Sequence, residues 1–92
     1  NGDGSPLTDE FAFPASSPHA VSVAALEHVL AGRAACGGRI MQLMPSRYAN
    51  TNGLVALAAL GSVVTLGTRN DYVLASGTSF AAPQIAGLAA LL

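Results

Sequence analysis

Apolar positions in this chain fall in short runs instead of long helical stripes. AVSVAAL (Ala20 to Leu26) is apolar but for Ser22 and carries no charge; LVALAAL (Leu54 to Leu60) and VVTL (Val63 to Leu66) follow, separated by Gly61-Ser62, and YVLAS (Tyr72 to Ser76) comes after the polar turn TRND. Runs of this length, rich in Val and Ala and bounded by glycine or polar clusters, predict short buried strands. Between the first two lies EHVLAGRAACGGRIMQLMP (Glu27 to Pro45), which holds three of the ten glycines and two of the four arginines and predicts an irregular excursion. The pattern changes at SGTSFAAPQIAGLAALL, where Phe80, Ile85, Leu88, Leu91 and Leu92 are the large residues and Ala and Gly fill most other positions. That segment predicts a helix opening at Ser79, reaching about Leu91, apolar all round and therefore buried. Gly87 would let neighbouring backbone approach it closely. Short strands feeding a helix predict an α/β fold, a mostly parallel sheet with helices packed on both faces.

Composition changes this picture in one respect. Of 92 residues 51% are apolar and 10% charged, against about 25% charged in an average soluble domain. A chain of this length buries only about 60 to 65% of the surface its unfolded form exposes. The expectation is a partial domain, residues 1–92, whose surplus apolar surface is covered by further polypeptide or by a partner subunit. The net charge of −1 comes from four arginines and five carboxylates scattered singly, which forms neither a nucleic-acid patch nor a membrane-surface stripe. The uncharged stretch from Tyr72 to Leu92 is broken by Ser76, Gly77, Thr78, Ser79, Pro83 and Gln84, unlike a membrane span of about 20 apolar residues. No basic start followed by an apolar run marks a signal peptide. Cys36 is the single cysteine, so no disulfide forms within the chain.

The hydroxyl at the head of the helix invites two explanations. Ser79 or Thr78 can cap it, a side-chain oxygen accepting a bond from an orphan backbone N–H. Pro83 complicates that reading, because its ring crowds the carbonyl of Ser79 and offers it no N–H donor, and such disturbance collects at functional sites. A helix N-terminus also favours incoming negative charge. When a serine Oγ adds to a carbonyl it creates that charge as an oxyanion, which the serine's own N–H can bind.

The eleven residues GTSFAAPQIAG (Gly77 to Gly87) closely resemble the Gly-Thr-Ser-x-Ala-Ala-Pro motif around the nucleophile of subtilisin-like serine proteases, with Phe80 for the usual Met and Gln84 for the usual His. FPASSPHAVSVAAL resembles that family's Tyr-Pro-Ala segment and following strand, and YANTNGLVALAALG its Ser-Asn-x-Gly and Ala-Pro-Gly segments, with Leu60 replacing the proline. NGDG at the start resembles the residues that begin with the family's oxyanion-hole asparagine. The resemblance implies a three-layer subtilisin-like domain, incomplete in this chain, and a serine endopeptidase acting through an acyl-enzyme on Ser79. Asn1 and the Ser79 N–H would form the oxyanion hole. Ala12, Phe13 and Pro14 would line one side of the pocket for the substrate residue before the cleaved bond, made shallower by Ala12 where glycine is common. It also implies a cis Phe13-Pro14 bond and a polypeptide substrate. The family's Asp and His precede its Ser by a long interval and would come from missing upstream sequence or a partner chain. Secretion is compatible with the resemblance; the residues themselves leave localisation open.

The other candidates are weaker. His19, in a turn before the first strand, and His28, in the excursion, are read as surface histidines and not as the general base that a serine nucleophile needs. Asp3, Asp9 and Glu10 sit on a polar stretch and are read as solvated, although some family members bind calcium; no cofactor is expected. NGDGSP and AGRAACGGR lack the Gly-Lys-Ser/Thr ending and strand-to-helix glycine fingerprint of nucleotide sites. Cys36 has only Arg33 and Arg39 near it in sequence and is read as an ordinary thiol. Two rivals stand beside the protease: a protease-like domain used for binding or assembly, and a structural α/β fragment in which Ser79 is only a cap.

Overall fold

The structure, a computed structural model, describes residues 11–92. Its elements follow in the order β1 (Val23–Arg33), β2 (Arg39–Pro45), β3 (Leu57–Leu60), β4 (Ser62–Leu66), β5 (Tyr72–Ser76) and α1 (Thr78–Leu91). The content is thus mixed α/β. Ahead of β1 the chain turns repeatedly: Ser16 N–H donates to Ala12 O and Ser17 N–H to Pro14 O, both at 2.9 Å, and the Phe13-Pro14 bond is cis, as the resemblance implied.

β1 is the centre of a three-stranded sheet ordered β2-β1-β3. It starts at Val23, later than Ala20, and runs past Leu26 to Arg33. β3 pairs with it in parallel, Val23 opposite Leu57 through Leu26 opposite Leu60. This strand is shorter than the predicted Leu54 to Leu60 because Asn52 holds its approach in a turn: the side-chain Oδ1 accepts the Leu54 N–H at 2.8 Å and the carbonyl accepts the Val55 N–H at 3.3 Å.

The excursion from Glu27 to Pro45 is not irregular. It is a β-hairpin, with β1 and β2 antiparallel from Leu26 opposite Pro45 to Arg33 opposite Arg39. The glycines mislead because they punctuate strands here instead of ending them. A register shift between Leu30 and Gly32 marks a bulge, where one strand takes up an extra residue. Gly37 has φ 85°, the left-handed region that a residue with a Cβ avoids, and its N–H donates to Ala34 O at 2.9 Å in the hairpin turn.

Strand pairing among the described residues is mixed. Only β1 with β3 is parallel; β1 with β2 and β4 with β5 are antiparallel. Short turns after β1 and β4 decide this, since a parallel neighbour needs a crossover of a dozen residues or more. β4 and β5 form a separate two-stranded sheet.

The helix, apolar all round, buries only Ala81 fully. It packs mainly on the β1–β3 sheet and touches β4 and β5 only slightly, so much of its surface stays outside. α1 lies against β1 and β3, where Ala25, Ala49 and Ala81 make a core of small side chains flanked by Val23, Tyr48 and Ala59. Large apolar residues are exposed instead, among them Phe13, Leu66, Leu74 and Leu91, which is the surplus surface expected from composition. Among the described residues no helix is long and apolar enough to cross a membrane.

Gly61 is the corner between the two sheets. Its N–H donates to Leu26 O at 2.9 Å, its carbonyl accepts the Gly77 N–H at 2.8 Å, and the Tyr48 hydroxyl donates to the same carbonyl at 3.2 Å. A Cβ here would stand 2.6 Å from Ala25 Cβ, so glycine is required by close approach.

Candidate active site

Ser79 is placed by the junction of β5 and α1. β5 ends at Ser76, whose Oγ lies 2.9 Å from Ser62 Oγ. Gly77 is then tied to Gly61 and serves as the N-cap of α1. Thr78 and Ser79 are accordingly the first two residues of the helix, and the N-cap position belongs to Gly77, which has no side chain to cap with. Ser79 is therefore not the N-cap.

The first turn closes through Phe80 N–H to Gly77 O at 3.1 Å, while the amides of Thr78 and Ser79 have no backbone acceptor among the described residues. Orphan donors are usual at a helix start. What is particular here is that the Ser79 side chain is exposed, so one residue presents both a hydroxyl and an uncommitted N–H. No acidic side chain occupies the first turn, leaving the positive end of the helix dipole uncompensated by the helix's own residues. Pro83 lies inside α1. Having no N–H, it leaves the Ser79 carbonyl without its ordinary intrahelical donor, yet the helix continues through to Leu91.

Beside this turn is a cleft of about 110 Å³ whose lining includes Ala12, Ala15, Ser16, Asn50, Asn52 and Thr78. It gathers the segment before β1, the loop between β2 and β3, and the residue next to Ser79. Of the three residues expected at a substrate pocket, Ala12 lines the cleft, whereas Phe13 and Pro14 are exposed neighbours outside its lining. Sequence reasoning does not single out Asn50 and Asn52. Their signal is the YANTNG segment, whose place in the family pattern is legible but whose return to the helix start is a tertiary fact.

The histidines sit as surface residues. His19 is exposed, its backbone N–H donating to Ser17 Oγ at 3.3 Å; His28 is exposed on β1 opposite Leu43. Cys36 is exposed in the hairpin turn. Asn1, Asp3, Asp9 and Glu10 lie outside the described residues.

In the sequence Gln84 is only a departure from the family pattern. Its Nε2 donates to Leu60 O at 2.7 Å and to Phe80 O at 2.8 Å, joining the start of α1 to the end of β3.

Neither the curated proteins nor the solved structures yield a match to this chain. A model of the Subtilase family matches residues 1–92, and the chain belongs to that family.

Proposed function

We propose that this chain carries the nucleophile of a subtilisin-like serine endopeptidase, Ser79, and that its substrates are polypeptides. The observation that carries the reading is the exposed Ser79 in the first turn of α1, one residue past the N-cap Gly77 and Thr78, with no backbone acceptor for its N–H among the described residues. Ser79 Oγ attacks the scissile carbonyl while its proton passes to an imidazole; the carbonyl oxygen becomes the oxyanion. The Ser79 N–H and the Asn1 side-chain amide bind it, one from the helix start and the other from the beginning of the chain. Collapse of the intermediate expels the amine, which takes the proton from the imidazole, and water then hydrolyses the Ser79 ester by the same steps. Neither Asp nor His of the triad is assigned to a residue of this chain. They are supplied by upstream sequence or by a partner chain, completing the three-layer, mostly parallel domain of the family. The cleft beside Thr78, with Ala12 on its wall, takes the substrate side chain preceding the cleaved bond. No cofactor takes part in these steps.

The test is active-site labelling by a fluorophosphonate, which phosphonylates an activated serine. The complete catalytic domain should label on Ser79 and lose labelling with Ser79→Ala. A complete domain that is folded and unlabelled would show that the chain serves binding or assembly instead.

A further inference from the structure

Two hydrogen bonds hold the turn that bears Ser79 to one corner of the sheet. Before Ser79, the Gly77 N–H donates to Gly61 O at 2.8 Å. After it, Gln84 Nε2 donates to Leu60 O at 2.7 Å, the adjacent carbonyl of the same chain segment. The second hydrogen of that amide goes to Phe80 O at 2.8 Å, within the helix turn itself. The turn needs such support, since Pro83 deprives the Ser79 carbonyl of its intrahelical donor.

We propose that Gln84 is a positioning residue for Ser79, its amide clamping the first turn of α1 to the end of β3 so that Oγ and the Ser79 N–H keep a fixed relation to bound substrate. The inference rests on the protease reading for its consequence in rate. Attack of a serine on a carbonyl depends steeply on distance and angle, so a turn held at only one flank would attack more slowly without binding substrate less well.

The experiment is fluorophosphonate labelling of the complete catalytic domain over a range of probe concentrations, separating kinact from KI, in wild type, Gln84→Met and Gln84→Glu. Gln84→Met keeps the length and removes the donor. Its kinact should fall about three- to tenfold, the range expected for losing the bond to Leu60 O, the one of the two Nε2 bonds that ties the helix to the strand, with KI and the labelled fraction unchanged. Gln84→Glu sets an ionised acceptor against two carbonyl oxygens and should be slower still. Its deficit relative to wild type should narrow as the pH falls and the protonated carboxyl donates again. A Gln84→Met variant with wild-type kinact, or one that loses only labelled fraction, overturns the proposal, since the second outcome means a purely structural role.

Amide exchange separates this inference from the reading beneath it. If folded wild type does not label, the protease reading fails, and the clamp is then decided by exchange at Gly77 and Phe80. Those amides should exchange about three- to tenfold faster in Gln84→Met, while the β1–β2 hairpin amides stay as in wild type. Unchanged exchange at Gly77 and Phe80 overturns the clamp.

Discussion

Gly61→Ala adds one methyl group at the corner on which both sheets and the helix start depend. The new Cβ would lie 2.5 Å from the Tyr48 hydroxyl oxygen and 2.6 Å from Ala25 Cβ, with Ser46 Oγ at 3.5 Å. Neither near neighbour can retreat freely. Ala25 is fully buried and held near the start of β1 by its pairing with Ala59, and the Tyr48 hydroxyl is tethered to the Gly61 carbonyl at 3.2 Å. Overpacking of this kind costs about 1 to 3 kcal/mol. Against it stands the entropy that alanine removes from the unfolded chain, worth about 0.4 to 1 kcal/mol where the backbone conformation suits alanine. It does so here, because Gly61 is not among the glycines with positive φ. The difference runs from about zero to about 2.6 kcal/mol, and because neither neighbour can retreat freely the expectation is a loss of about 1 to 2.6 kcal/mol, which lowers the urea midpoint of the complete domain by roughly 0.5 to 2.6 M for an m-value between 1 and 2 kcal/mol/M. A double-mutant cycle with Tyr48→Phe sharpens the test, since deleting the hydroxyl removes the shorter of the two clashes. Gly61→Ala should then cost less in the Tyr48→Phe background than in wild type, a coupling of the sort expected for residues in contact. A Gly61→Ala protein as stable as wild type, or equal costs in the two backgrounds, would refute the steric reasoning.

Three further expectations follow from the same geometry. Ser79→Ala should change stability by no more than about 0.5 kcal/mol, because the lost hydroxyl is exposed and the N-cap position belongs to Gly77, while labelling disappears; denaturation and labelling of one preparation check both. The 92 residues by themselves should aggregate and show almost no fluorophosphonate labelling, for Phe13 is 87% exposed, Leu66 72% and Leu91 85%, and apolar exposure on that scale drives association; light scattering and labelling with and without the polypeptide bearing Asp and His measure this. Arg39→Glu should stabilise the hairpin end by about 0.2 to 1 kcal/mol, because Arg33 and Arg39 face each other there and opposite charges replace like ones across the strands, an effect that thermal melts should register and added salt should diminish.

Element type was largely legible in the residues, because it depends on neighbours a few positions away. The motif around Ser79, with glycine before it and alanines after, encoded a helix start at that point, and α1 runs from Thr78 to Leu91 much as its pattern predicted. The runs ending at Leu26, Leu60, Leu66 and Ser76 all became strands or parts of strands. The family, too, was legible, through the resemblance that GTSFAAPQIAG bears to its serine motif. What tertiary structure alone decided is which segments meet. Gly32 and Gly37 look the same in sequence whether they end a strand or serve as bulge and turn within a hairpin, and only the pairing of Glu27 with Met44 and its neighbours distinguishes the two. The direction of each strand pair depends on the path of the connecting chain, which local periodicity does not record. Likewise the Gln84 side chain could be known as an amide beside a proline, but its acceptor is the carbonyl of Leu60, on another element. Ala12 and Thr78 share one cleft although most of the chain separates them, because β1 and β3 pair in parallel and bring both ends of that path to the head of the helix.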